Sequence, residues 1–306
     1  MNNVLVIGGA GYIGGAVSDI MEVTVLDNLT FEDRYMKPVP FIFGDVRDKK
    51  ELLNHVKNFD TLIVLAGLVG DPACEVNKEL TYRINVDHVK WLAEEFPGKI
   101  VYTSSCSVYG KNDNLIDETA EPNPLSTYAE SKLICEEHLK NRSDALIYRL
   151  GTLYGVGDSY SRLRLDLVVN ILTMKATFGE TLHVFGGDQW RPIINVKDVA
   201  NGIKFGIEHN LSGIYNLSER NVKIVDLAQE IIKMIPADLE QTEMLFEDKR
   251  NYKVKANKIY STGWGPKYNL EEGIMTLHHL FKEGRIKDVR NELYHNGNYM
   301  RKYYAT

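Results

Sequence analysis

The chain begins with a strand that runs straight into glycines: VLVIGGAGYIGG, residues 4–15. Gly9, Gly11 and Gly14 fit the pattern GxGxxG, and Gly8, Gly11 and Gly14 fit the related GxxGxxG spacing. Glycines so spaced allow a tight turn, let the backbone come close to a pyrophosphate, and pack the next helix against the strand. The phosphates then rest on the free N–H groups at the helix N-terminus, where the dipole favours anions. A glycine triplet alone is a weak signal, and its context strengthens it. Asp27 closes the next strand, VTVLD (23–27), about 20 residues past the first glycine, where a carboxylate accepts from an adenosine ribose hydroxyl. No arginine directly follows Asp27, so a 2′-phosphate would meet repulsion and NAD is expected rather than NADP. The stretch between Gly14 and that strand is short and leaves room for about two and a half helical turns.

The same alternation continues. VLVIG (4–8), VTVLD (23–27), PFIFGD (40–45), TLIVLAG (61–67), KIVYTSS (99–105) and ALIYRL (145–150) read as strands. Near-continuous apolar runs of this kind suit a parallel sheet covered on both faces. Between them KKELLNHVKNF (49–59), NVDHVKWLAEEF (85–96) and YAESKLICEEHLKN (128–141) carry helical periodicity. The expected fold is therefore α/β, a doubly wound parallel sheet of Rossmann type. Beyond Leu150 the pattern loosens. One more strand–helix unit is read at 192–209, with helices at 224–235 and near 270–284. This predicts a nucleotide-binding domain over 1–150, with a return at about 192–210, and a smaller, discontinuous mixed α/β substrate lobe over 151–306. The tail from Asn291 is basic and aromatic and is expected to dock on the surface or fray.

A formal net charge of −6 argues against a nucleic-acid partner. Cys74, Cys106 and Cys135 show no CxxC spacing and the histidines no ligand spacing, so neither disulfide nor metal is expected. The longest apolar run, TLIVLAGLVG (61–70), falls short of the roughly 20 residues a membrane span needs. No basic leader precedes the first strand. A soluble cytoplasmic protein with no membrane partner is expected.

YAESK (128–132) places a phenol and an ammonium four residues apart. On a helix Tyr128 and Lys132 share one face. A surface helix carries such pairs too, but a nearby cation favours the phenolate. A shift of roughly 3 units, about 4 kcal/mol, would make Tyr128 a general base near neutral pH.

The glycine loop, Asp27, GDV (44–46), LAG (65–67), SSCSVYG (104–110) and YAESK occur together in this order. With this set the chain resembles the extended short-chain dehydrogenase/reductases, and within them the nucleotide-sugar epimerases and dehydratases, of which UDP-galactose 4-epimerase is the familiar member. The resemblance runs from residue 2 to about 284. It implies that Tyr128, Lys132 and Ser105 are catalytic, Lys132 also holding the nicotinamide ribose and Ser105 bonding the reacting sugar hydroxyl. For the cofactor, NAD, it implies Gly8, Gly11, Tyr12, Ile13 and Gly14 at the phosphates, with Asp27 and Asn28 at the ribose. Asp45 and Val46 would meet adenine, while Leu65, Ala66, Gly67 and Thr103 complete the set with Tyr128 and Lys132. For the substrate, a nucleotide-diphosphate sugar, it implies Arg191 at the diphosphate, Arg250 as a second such arginine, and Ser105, Ser107, Thr152, Arg164 (paired with Arg162) and Asn170 along the sugar-nucleotide cleft.

Departures from the family pattern narrow the activity. Dehydratases carry an acidic residue directly after the Ser105 position; here Cys106 and Ser107 follow, which disfavours dehydration. Cys106 reads as a buried packing residue rather than an acid. Thr152 stands where an asparagine is usual. The sets RLRLDLVVN, WRP and DKRNY resemble a branch that acts on surface-polysaccharide sugars, including dehydrogenases of GDP-heptoses. The reading favoured is an NAD-dependent nucleotide-sugar 4-epimerase working through a transient 4-keto sugar, with a C4 dehydrogenase or 4-ketoreductase as the alternative. A non-catalytic NAD-binding protein is disfavoured because Ser105, Tyr128 and Lys132 are all present. By the same resemblance the helices at 85–96 and 128–141, with Val89, Leu92, Leu133 and Leu139, are expected to pair across a homodimer.

Overall fold

Apolar side chains on both faces of a strand demand cover on both sides, and the first five strands show it everywhere but at the sheet's edge, where Phe41 and Phe43 stay exposed. The five are β1 (Val4–Ile7), β2 (Thr24–Asp27), β3 (Phe41–Phe43), β4 (Thr61–Val64) and β5 (Lys99–Ser105). The computed structural model describes residues 3–32, 35–160, 162–242 and 250–305. Strands Ala145–Leu150 and Gly213–Leu217 join these five in a seven-stranded sheet. Its order is 213–217, 145–150, β5, β4, β1, β2, β3, with every neighbouring pair parallel.

Side chains alternate between the faces of a strand, and β1 shows what each face meets. Val4 and Val6 join a core with Ala16 and Val17 of helix α1 (Tyr12–Ile20) and Ile203 of helix Val196–Glu208. Leu5 and Ile7 join the opposite core. There they meet Leu52 of α2 (Lys49–Val56) and, past the short helices α3 (Asp71–Cys74) and α4 (Lys78–Asn85), Val89 and Leu92 of α5 (Asp87–Glu95) and Leu139 of α6 (Thr127–Leu139). Each such fully buried aliphatic contributes about 1.5–3 kcal/mol. Val89, Leu92 and Leu139 are thus consumed by the chain's own core, and Leu133 is half-buried against Val108 and Tyr252. The apolar stripe expected at a dimer contact is therefore not spare surface. The first helix has nine residues, as short as the sequence allows.

The chain that follows strand 145–150 builds the second layer set. Strands Thr152–Tyr154, Trp190–Asn195 and Arg220–Lys223 form a small sheet. Helices Val168–Thr177, Ile224–Met234 and Leu270–Lys282 enclose its core around Tyr154, Ile193 and Ile274. The strand–helix unit read at 192–209 is divided between the layers. Its strand stays in the small sheet, its helix covers the large sheet beside α1, and strand Gly213–Leu217 supplies the seventh strand. Strand Lys111–Ile116 pairs in parallel with Asn251–Val254, which carries Arg250 and Tyr252 to the cleft. Among the described residues no helix is long and apolar enough to cross a membrane.

Helix α6 is fastened to the sheet by a buried ion pair. Arg149, on strand 145–150, donates to both Glu136 oxygens at 2.6–3.1 Å, and its other nitrogen donates to the Tyr109 hydroxyl at 2.9 Å. Ser104 also donates to Glu136 at 2.5 Å. The two charged side chains are 4% and 2% exposed, so neither can recover its hydration if the other is lost. Glu136→Ala is expected to destabilise the protein by about 3–5 kcal/mol in urea unfolding, whereas Glu136→Leu with Arg149→Met should cost less than the single change. Equal losses would show that the pair is not mutually dependent.

Candidate active site

A cavity of about 1100 Å³ opens at the ends of β1, β2, β4 and β5 and continues under the second lobe. Strand order reverses between β1 and β4, and crevices of open α/β sheets form at such points.

The glycine turn makes the first wall. Gly8 has φ +84°, and a Cβ there would sit 2.5 Å from the Ala66 nitrogen, so β1 and the loop after β4 touch backbone to backbone. A Cβ at Gly14 would lie 2.3 Å from the Gly9 carbonyl oxygen, which only glycine avoids at this helix–turn contact. At Gly11 a Cβ would meet only the Gly8 oxygen, at 3.3 Å, and this residue lines the cavity. Its missing side chain keeps open the space above the N-terminus of α1, the approach a pyrophosphate needs. Asp27 accepts from the Ala10 and Leu29 N–H groups at 3.1 and 2.8 Å. Burial raises its pKa, and those bonds and Arg162 work against the rise. Asp27, Asn28, Val46 and Leu65–Gly67 all line the cavity, with Tyr12, Ile13 and Thr103.

Two expected residues lie elsewhere. Asp45 is turned to Arg47, at 2.5 and 2.9 Å, and to Asn28 at 3.0 Å, outside the cavity lining. The Arg47 guanidinium holds its carboxyl well below the usual carboxylate range. Asn170 is wholly buried and also outside the lining. Its side chain accepts from the Gly155 N–H at 3.0 Å and donates to the Arg164 carbonyl at 2.9 Å, so it secures the loop between them.

Ser105, Tyr128 and Lys132 come together at the end of β5 and the start of α6. Ser126 caps α6 by accepting from the Ala129 N–H at 3.2 Å, and itself donates to Asp71 at 2.8 Å. Ser105 pulls the Tyr128 phenol pKa down and accepts from the Ser107 hydroxyl at 2.9 Å. Lys132 donates to the Thr103 carbonyl at 2.8 Å, with its ammonium 4.8 Å from the Tyr102 ring centre and 5.9 Å from that of Tyr128. The expected drop in the Tyr128 pKa is not found. Burial dominates and raises it, while Arg164 and the Ser105 bond pull it down. Burial also lowers the pKa of Lys132. Cys106 is buried outside the lining and donates to the Arg149 carbonyl at 3.2 Å. Burial pushes its thiol up, and the packing reading holds.

Arginines occupy the other walls. Arg164 forks onto Asp166, both bonds 3.0 Å. Arg191 stands 5.6 Å from the Tyr252 ring centre and donates to the Arg250 carbonyl at 2.5 Å. Arg250 pairs with Asp71 at 2.5 Å, bridging from the second lobe to the loop after β4. Arg162, Arg164, Arg191, Arg250, Ser107 and Thr152 all line the cavity. Ser161, Asp248 and Lys249 of the same motifs lie outside the described residues. Sequence reasoning missed Asp71 and Asp166. The signal for Asp166 was its spacing two residues after Arg164; for Asp71 there was only a Gly-Asp-Pro helix start.

Residues 4–218 match the model of the NAD dependent epimerase/dehydratase family. The chain is 27% identical over 252 residues, 77% of this chain and 74% of the relative, to N-acetyl-alpha-D-glucosaminyl-diphospho-ditrans,octacis-undecaprenol 4-epimerase of Escherichia coli O157:H7. It is 28% identical over 302 residues, 89% of this chain and 95% of the relative, to a putative UDP-glucose 4-epimerase of Methanocaldococcus jannaschii. Its fold superposes on the UDP-glucose 4-epimerase of Thermotoga maritima, solved with UDP-glucose, with TM-score 0.80 at 23% identity, covering 92% of this chain and 99% of the other. With the glycine cradle, the Ser105–Tyr128–Lys132 cluster and these matches together, the chain belongs to the NAD-dependent epimerase/dehydratase family and is an NAD-dependent enzyme of the extended short-chain dehydrogenase/reductase type.

Proposed function

We propose that the protein is a nucleotide-sugar 4-epimerase that oxidises its sugar to a transient 4-keto form and reduces it again. The observation that carries this reading is the placement of Ser105, Tyr128 and Lys132 in a cavity whose far walls hold Arg191 and Arg250. The position after Ser105 holds a buried thiol in place of a carboxylate. The first group suits alcohol oxidation, the arginines suit a diphosphate, and the buried thiol supplies no acid for removing water.

NAD, when bound, would supply a hydride acceptor and donor and a positively charged ring. The chain's own groups do the rest. Ser105 orients the C4 oxygen, and Tyr128 takes the proton from that hydroxyl and later returns it. Burial disfavours the phenolate, which therefore depends on the cations gathered around it. Arg164 pulls the Tyr128 pKa down, and the Lys132 ammonium, fixed by the Thr103 carbonyl, stands 5.9 Å from the Tyr128 ring centre. Arg191 and Arg250 receive the substrate diphosphate, which must displace Asp71 from Arg250. A keto sugar that turns over before the second hydride step leaves as the C4 epimer with no net change in NAD. One that departs first makes the enzyme a C4 dehydrogenase.

Incubation of the protein with NAD and a panel of UDP-, GDP-, dTDP- and CDP-sugars, with a polyprenyl-diphosphate sugar included, tests the assignment. A new C4 epimer by NMR without growing absorbance at 340 nm supports the epimerase; NADH rising with a 4-keto product replaces it by the dehydrogenase. Tyr128→Phe should lower turnover by about 100- to 10,000-fold with NAD binding unchanged, and full turnover in this variant would remove Tyr128 from the chemistry.

The role of Arg164 predicts a pH dependence. Removing a cation raises the phenol pKa further, so activity should require higher pH. Arg164→Gln is best combined with Asp166→Asn, which avoids leaving a buried carboxylate unpaired. The rising limb of the kcat/KM profile should move up by about one pH unit, a loss of roughly tenfold at pH 7 that is recovered near pH 9. A loss uniform across pH would mean that Arg164 acts by binding alone.

A further inference from the structure

The tail, expected to dock on the surface or fray, is docked and reaches the cleft. Asn296 is completely buried. Its side-chain oxygen accepts from Arg162 at 2.5 Å, its amide nitrogen donates to the Val69 carbonyl at 3.0 Å, and its backbone N–H donates to Asp166 at 3.3 Å. The helix it begins, Asn296–Tyr304, lies across two loops of the dinucleotide half. On the loop after β4, Met300 packs with Leu68, Ala73 and Cys74, and a Cβ at Gly297 would come within 3.0 Å of Pro72. On the loop after β2, the Tyr299 hydroxyl donates to the Thr30 carbonyl at 2.5 Å and its ring tilts against Phe31 at 4.8 Å. Arg162 stacks on the other side of this junction, 4.7 Å from the Phe31 ring centre, and donates to the Leu293 carbonyl at 2.6 Å. Asn298 and Arg301 line the cavity itself. The segment therefore joins the loops after β2 and β4, which border the space above Gly11. Buried polar groups hold it, and each of them would be left unsatisfied if it lifted.

We infer that residues 295–304 are a wall of the cofactor site latched by Asn296, so that NAD enters and leaves only when this segment lifts from the loops after β2 and β4. Asn296 is a positioning residue: it closes the site through Arg162, Val69 and Asp166. A wall that gates passage slows uptake and release together, whereas a residue that merely contacts the ligand slows release alone.

The test is stopped-flow fluorescence of NADH binding and of its displacement by excess NAD, on the full-length protein. Asn296→Ala should speed release and uptake each by roughly tenfold or more, the equivalent of losing one to three hydrogen bonds, with the equilibrium Kd changing less than either rate. Tyr299→Phe, which deletes a single hydroxyl, should move both rates in the same direction by roughly threefold. Lys302→Ala, on the exposed side of the helix and paired with Glu292, should leave both unchanged. Tryptic cleavage after Arg285, Lys287 or Arg290 should be slowed by NADH in the wild type and accelerated in Asn296→Ala. Unaltered rates in Asn296→Ala and Tyr299→Phe, or faster release with wild-type uptake, would overturn the gate. If Asn296→Ala does not fold, Tyr299→Phe alone decides.

Discussion

A parallel sheet buried on both faces imposes one constraint from which the site follows. Every strand must be reached by a crossover, the crossovers carry helices, and all the loops that leave the strands gather at one end. Where strand order reverses, between β1 and β4, neighbouring loops part and a cleft opens. The cleft can be narrow at its floor only because Gly8 lets β1 pass the Ala66 backbone without a side chain between them. The groups discussed above hang from that arrangement. Asp27 and Ser105 stand where their strands end, and Tyr128 stands one residue into a helix pinned by Ser126 and by the Glu136–Arg149 pair.

The electrostatics of the cleft are a balance between burial and cations. Tyr128 sits where desolvation alone would keep it a phenol. Lys132 is likewise buried, and its ammonium is stabilised by a carbonyl and an aromatic face rather than by a carboxylate. This leaves its charge available to whatever else enters. Arg164 is neutralised in part by Asp166, and Arg250 by Asp71, so two of the cations are paired with carboxylates of the chain itself. Such pairing limits the cost of collecting arginines in one cavity and makes each one's release a condition of binding.

Much of the site was legible before the fold was known. The glycine spacing, Asp27, the serine of SSCSVYG and the Tyr–Lys pair each carry a local requirement, such as a turn, a strand end or one helical face. Residues that meet local requirements end up together once the topology is right. What the pattern did not show is which partner each side chain takes. Asp45 was read as an adenine contact, but Arg47 captures it two residues on. Asn170 was placed along the cleft, but the Gly155 and Arg164 backbones claim it. Val89, Leu92 and Leu139 were read as surplus apolar surface because periodicity shows that a helix has an apolar face without showing how many neighbours cover it. The division of 192–209 between two sheets escaped for the same reason, since a strand's pattern does not name the strand it pairs with.

By itself, then, the sequence determined the alternation of strands and helices, the glycine turn and the placing of Tyr128 and Lys132 on one helix, because each rests on contacts within one turn of helix or one strand end. Only the tertiary structure decided that Arg164 lowers the Tyr128 pKa, that Asp71 bridges to Arg250 across the cleft, and that the last helix packs on the loops after β2 and β4. Those depend on residues between about 36 and 227 positions apart, whose meeting is set by how the layers pack and leaves no local pattern to read.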